Sequence, residues 1–240
     1  MILTISASAN AQEIWNNEAG LKKLEKSQFK NDFYQLLNFY QPQINPVFCS
    51  VASSVIVLNA LKYGNIESQK ELEFTKENGA KIEYKLYSQN YFLNDRTNKI
   101  KARAVIEAKI KNQNNDFDAG LALDDLSKIL SEVYQLKVVS RHIEKLSEPE
   151  IESFRSELKS VLSDQENFII ANYDGTKLGQ KINGHFSPII AYESESDSLL
   201  VMDVALHKNQ WFWIELPKFF KAMNSKDGEK FRGYLVIKNR

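Results

Sequence analysis

The chain has 240 residues, 43% of them hydrophobic and including 14 Phe and 10 Tyr, enough to close a core in one large domain or two small ones. Its 31 basic and 31 acidic residues cancel, so no field that would gather nucleic acid or an anionic membrane surface is implied. A single cysteine excludes an intrachain disulfide and a multi-cysteine zinc site, and His142, His185 and His207, none at helical metal spacing to another, argue against a built-in transition metal.

The opening MILTISASANAQEIW places Ala9-Asn10-Ala11, a small-x-small triplet, before Gln12, but the apolar stretch ahead of it is short and carries no Lys or Arg. Two readings stay open. Residues 1–11 are the end of an export signal, which would make the protein periplasmic or exported, or they are an ordinary tail on a cytoplasmic protein. Either way, residues 1–17 read as a tail and 18–240 as one domain. No apolar run reaches the ~18 to 20 residues of a membrane span, so no membrane partner is expected.

From Glu18 to Asn38, Leu21, Leu24, Phe29, Phe33, Leu36 and Leu37 fall near a 3.6-residue period and predict one amphipathic helix. A proline-bearing loop, Gln41 to Val47, leads into a helix from Cys49 to Lys62 that is apolar on nearly every face and therefore interior, with Gly64-Asn65 as its stop. Residues 66–118, rich in Lys and Asn, read as short helices and surface loops with one strand signal at Lys81–Leu86. A helix follows from Leu121 to about Tyr134, then a short strand at Lys137-Val-Val and an amphipathic helix over Ile151–Leu162. His142, in a polar stretch, reads as a surface residue.

The character then changes. NFIIANY, FSPIIAY, SLLVMDVA, WFWIEL and GYLVIKN are short, β-branched or aromatic, and separated by Gly, Ser, Asp and Asn, as expected of an antiparallel sheet. A helix over Pro217–Met223 starts with proline in its first turn, and the alternation of Trp211 and Trp213 puts both on one face. The fold class is α+β: a helical half packed on a sheet half, with the working cleft where they meet.

Cys49 stands where unpaired backbone N–H groups at a helix start favour a thiolate, although a free cysteine is as readily a small buried apolar residue. Gln43, shortly upstream, could donate to an oxyanion together with the Cys49 N–H, or be a loop glutamine. A cysteine and glutamine so spaced are the arrangement of papain-like thiol enzymes, which also need a histidine and an orienting Asn or Asp downstream. In NGHFSPIIAYESESDSLLVMDVA, His185 opens one strand and Asp203 lies near the end of the next, with a turn around Ser194–Ser198. An aspartate in so apolar a strand needs a partner, and the His185 imidazole is at hand. The alternative is that Asp203 marks a strand end and His185 a loop, as His207 does.

QPQINPVFCSVASSVIVLNAL, NGHFSPIIAY, LLVMDVA, FFKAMNSKD and FRGYLVI, in this order, resemble the catalytic domain of phytochelatin synthases, over roughly Phe39–Leu61 and Asn167–Lys238, with a weaker echo in SQNYFLNDRTN and GLALDDLSKIL. The resemblance implies a papain-like fold of bacterial type, without the Cys-rich C-terminal extension. It implies a thiolate that attacks the Cys–Gly amide of glutathione, releases glycine, and passes the γ-glutamylcysteinyl group to water or to a second glutathione. Cys49 would be the nucleophile, His185 the base and then the acid, Asp203 its orienter and Gln43 the oxyanion donor. Gly184, Val204, Ala205, Asp227 and Arg232 would bind substrate. No protein metal site is implied; Cd or Zn would enter as glutathione thiolate complexes or as activators. Glutathione is the expected partner, and a homodimer stays open.

Three departures bear on the reaction. Ser50 stands where the family usually has Gly. Leu206-His207-Lys208-Asn209-Gln210 replaces an Arg-aromatic-Lys-Tyr-Pro run, and Gly175 replaces a basic residue. Two cations are thereby missing unless Lys177, Lys181 or Lys208 substitutes, which favours hydrolysis over chain extension. A papain-like peptidase or amidase on another γ-glutamyl or small peptide, and a non-catalytic binding protein of the same fold, are the competing readings.

Overall fold

The computed structural model describes residues 12–62 and 70–239. Residues 1–11 and Gly64-Asn65, on which the signal and helix-stop expectations fall, lie outside them. A two-residue strand β1 (Glu13–Ile14) precedes helices α1 (Glu18–Lys26), α2 (Asn31–Leu37) and α3 (Cys49–Lys62), followed by a hairpin of β2 (Lys70–Thr75) and β3 (Lys81–Lys85). Short helices α4 (Gln89–Phe92) and α5 (Arg103–Ile106) lead to α6 (Leu123–Lys128), which widens into one π turn over Ile129–Val133. Then come β4 (Lys137–His142), α7 (Glu148–Ser163), β5 (Asn167–Asp174), β6 (Gly184–Glu193), β7 (Ser198–Val201), β8 (Phe212–Glu215), α8 (Leu216–Met223), β9 (Lys226–Asp227), β10 (Lys230–Phe231) and β11 (Gly233–Lys238).

Among the described residues the main sheet has seven strands in the order β1-β8-β7-β6-β5-β11-β4, and every pairing in it is antiparallel. Alternation along β5 explains the layers. Phe168 and Ile170 face a core shared with Phe48, Val51 and Val55 of the α3 segment, while Ile169, Ala171 and Tyr173 face a second core under Phe154 of α7 and Phe219 of α8. The sheet is thus covered on both sides, one helical layer more than the expected two-part arrangement. Trp211 and Trp213 lie on one side, in the α3 core, as their alternation predicts.

The 18–38 segment is two helices, not one. Ser27 ends α1, its N–H and hydroxyl both donating to Lys23 O, and the Phe29 carbonyl accepts from Tyr192 N of β6 at 2.8 Å. A residue in that bridge is extended, so the helix must break there. Leu21 and Leu37 consequently stay exposed, at 48% and 45%. The 66–118 region holds a strand the sequence reading missed, β2, joined to β3 through a turn in which Gly79 has φ +78°. His142 is half-buried and partnered rather than free on the surface: its Nε2 meets Asp124 at 2.9 Å and its Nδ1 the carbonyl of Phe231, because β4 packs between β11 and α6.

Gly233 sits between β4 and β5 in the ladder, where an added Cβ would lie 1.8 Å from the Arg141 carbonyl oxygen. Gly233→Ala must part β4 from β11, and urea denaturation is expected to show a loss of about 3 kcal/mol or more. A loss under about 1 kcal/mol would mean that β4 is not held in this register.

Candidate active site

The helical half presents Cys49 at the first position of α3. Its thiol is partly exposed and opens on a cleft of about 630 Å³. On the sheet half His185 is the second residue of β6, and its Nε2 lies 2.9 Å from Asp203 Oδ1, both side chains being almost fully buried. Nε2 being taken by Asp203, Nδ1 is the ring nitrogen left for Cys49, and both residues line the same cleft. Tyr173, opposite His185 in the β5–β6 ladder, supports the imidazole edge-on with centroids 5.6 Å apart.

Asp203 lies just beyond β7 rather than in it. Pro188 cannot donate to a ladder; beside it the β6–β7 register shifts, and Met202 N donates to its carbonyl at 2.9 Å. The chain leaves the sheet there, and the Asp203 carboxylate is gathered inward by Ala205 N at 2.7 Å and Asn209 Nδ2 at 3.1 Å as well as by His185. Tyr40 Oη donates to the Asp203 carbonyl at 3.1 Å.

The electrostatics follow from this packing. Burial alone would raise the Cys49 thiol, but the hydrogen bond and charge of His185, with the backbone N–H groups of Phe186 and Ser50, bring it below its ordinary value. For His185 burial pulls downward, and Asp203 and Cys49 overcome it, pushing the imidazole up to about 10. A thiolate beside an imidazolium is the favoured state, and that pair can attack an acyl carbon and protonate a leaving amine.

Gln43 lines the same cleft, its N–H bonded to the Val204 carbonyl at 2.8 Å. Its amide nitrogen donates once, to Asn45 O at 2.9 Å, and has a second N–H to offer. Val204 meets the site only by this backbone carbonyl, its side chain lying in the α3 core; Ala205 and Gly184 line the cleft directly. Arg232 and Asp227 pair at 2.7 Å on the cleft wall, bridged by the fully buried Asn172 with contacts of 3.4 Å to each. The Arg232 guanidinium lies over Gly184, where an added Cβ would meet it at 2.8 Å.

Of the three lysines that could replace the missing cations, Lys208 lines the cleft, whereas Lys177 Nζ is spent on Asn224 O at 2.7 Å and Lys181 is exposed away from it. Gly175 is buried against Gln180 Oε1 and the Ile182 carbonyl, 2.6 and 2.7 Å from an added Cβ, so no side chain could enter there. The far wall, Asn112 to Ala122, carries Asp116, Phe117 and Asp118. Sequence reasoning missed this wall, together with Tyr40, Asn172 and Asn209. Only Asn172, a polar residue inside NFIIANY, carried a visible signal. Among the described residues no cluster of three or more His, Cys, Asp or Glu side chains could hold a metal ion, and no helix is long and apolar enough to cross a membrane.

A helix-borne thiol set against a strand-borne imidazole and a carboxylate just past the neighbouring strand, in an α+β unit, defines a papain-like architecture. The phytochelatin synthase family model matches residues 10–234, and the chain belongs to that family. Among curated proteins it is similar to "Glutathione gamma-glutamylcysteinyltransferase 3" of Lotus japonicus, 27% identical over 85% of this chain and 37% of that protein. It is likewise similar to "Glutathione gamma-glutamylcysteinyltransferase 1" of Arabidopsis thaliana, at 26% over 85% and 36%, and to the Schizosaccharomyces pombe enzyme, at 22% over 90% and 45%. The chain therefore spans between about a third and a half of the length of these relatives.

Proposed function

We propose that the protein is a glutathione-directed acyl-transfer enzyme that cleaves the Cys–Gly amide, with Cys49 as nucleophile. The observation that carries this reading is the Cys49–His185–Asp203 line at the head of α3, in a chain of the phytochelatin synthase family. The Cys49 thiolate adds to the amide carbonyl, and the oxyanion takes N–H donors from the Cys49 backbone and from Gln43 Nε2. His185 passes its proton to the glycine nitrogen; the C–N bond breaks, and a γ-glutamylcysteinyl thioester remains. His185, now neutral, removes a proton from the acceptor, and the thioester opens to regenerate the thiolate. Asp227 and Arg232 are suited to the charged ends of the donor, and Arg232 to a carboxylate in particular.

Hydrolysis is favoured over chain extension. Leu206 is exposed and apolar where a cation would help, Gly175 has no room for one, and Lys208 stands alone among the three lysines in the cleft. On this reading Cd or Zn takes part as the thiolate complex of the substrate. The test is incubation with glutathione, with and without cadmium or zinc, and separation of the thiol products by mass. Glycine with γ-glutamylcysteine alone is the expected result; oligomeric γ-glutamylcysteine peptides would reassign it to transfer, and no glycine at all would overturn it in favour of another peptide substrate or a silent fold.

The pH dependence has a definite sign. Because Cys49 is lowered and His185 raised, the ion pair exists between the two titrations. Glycine release is expected to be already developed below the ordinary thiol range and to fall as pH passes about 10, where His185 gives up its proton. A profile that rises only through the ordinary thiol range would mean that the two groups are not coupled.

A further inference from the structure

Asp203 has two carboxylate oxygens, and only Oδ1 faces His185. Oδ2 is taken by Asn209 Nδ2 at 3.1 Å. The amide can face a carboxylate only through its nitrogen, since its oxygen would meet two acceptors. The turn that presents Asn209 is closed on itself: Lys208 N and Asn209 N both donate to Ala205 O, at 2.7 and 3.0 Å, and Ala205 N donates to Asp203 Oδ1. We infer that Asn209 is a positioning residue, fixing the rotation of the Asp203 carboxylate so that Oδ1 is held on His185 Nε2.

Both His185 and Ala205 N hold Oδ1, which leaves the carboxylate plane able to tilt about that oxygen; the Asn209 bond to Oδ2 is the further point that fixes it. Loss of the Asn209 donor lets the Asp203 carboxylate tilt about Oδ1, loosens its hold on the imidazolium, and so weakens the thiolate facing it. The charged groups around this centre are Cys49, Asp203, and on the cleft walls Asp116, Asp118, Lys208, Asp227 and Arg232.

The proposal rests on the acyl-transfer reading, but it can be tested without any substrate. Cys49 is the only cysteine, so whole-protein alkylation by iodoacetamide, followed by mass, reads this thiol alone. Asn209→Ala and the volume-keeping Asn209→Leu should each move the acid limb of alkylation up by roughly half a pH unit or more, toward the position found for Asp203→Ala, and should slow glycine release by about tenfold with KM changed less than twofold. Gln210→Ala, an exposed neighbour in the same stretch, should leave both readings as they are, with circular dichroism checking that each variant is folded. An unmoved acid limb in folded Asn209→Ala, or the same loss in Gln210→Ala, would overturn the proposal. Absence of glycine release from the wild type with the alkylation shift intact would instead remove the glutathione reading and leave Asn209 in place.

Discussion

Cys49→Ala is expected to abolish glycine release from glutathione, a fall of at least about four orders of magnitude, since in the proposed mechanism the thiolate is the atom that bonds to the acyl carbon and no other thiol exists in the chain. His185→Ala should fall nearly as far, and the double variant no further, because thiolate and imidazolium are one unit, each raised or lowered by the other. The Cys49→Ala protein should keep its thermal unfolding midpoint within a few degrees, the side chain being small and partly exposed. Discontinuous glycine assays on the three variants decide the matter. Residual activity within tenfold of the parent in Cys49→Ala would mean that the amide is attacked by something else, water included, and the α3 terminus would lose its assigned role.

Arg232→Ala should raise KM for glutathione by about ten- to a hundredfold with kcat held within a few-fold, the signature of lost ground-state binding. The side chain is only 11% exposed, its partner Asp227 34%. Removing the guanidinium therefore takes away the carboxylate ligand proposed for the donor and leaves an uncompensated acid on the cleft wall. Arg232→Lys should not restore the parent KM. A point charge cannot keep Asp227 and Asn172 engaged while lying flat over Gly184. Gly184→Ala offers a second approach to the same contact, since its new Cβ displaces the guanidinium without removing charge; a KM rise smaller than that of Arg232→Ala is expected. An unchanged KM in all three variants would move the donor site elsewhere in the cleft.

The parts of this molecule that were legible in the sequence are those written in local pattern. The α3 helix shows as an unbroken apolar run after a proline loop, and the sheet strands show as β-branched blocks between turn residues. His185 and Asp203 could be paired because an acid inside LLVMDVA demands a partner. Long-range facts were not legible. Whether 18–38 is one helix or two depends on Tyr192 reaching Phe29, more than a hundred residues away. The pairing of His142 depends on Asp124 and Phe231, and the hold on Asp203 on a turn whose residues look like an ordinary polar loop. Val204 shows the limit from the other direction: its contact with Gln43 runs through a backbone carbonyl that no side-chain pattern encodes.

Because the thiol comes from the α3 layer and the imidazole from the sheet, neither half of the chain can generate the ion pair alone. That gives refolding a built-in chemical clock. After dilution from denaturant, whatever the order in which sheet and helices regain their spectroscopic signals, alkylation of Cys49 at acid pH becomes fast only once α3 has docked against β6. A pulse of iodoacetamide at successive times thus dates the closing of the α3–sheet interface, with the protein's only sulfhydryl as the reporter.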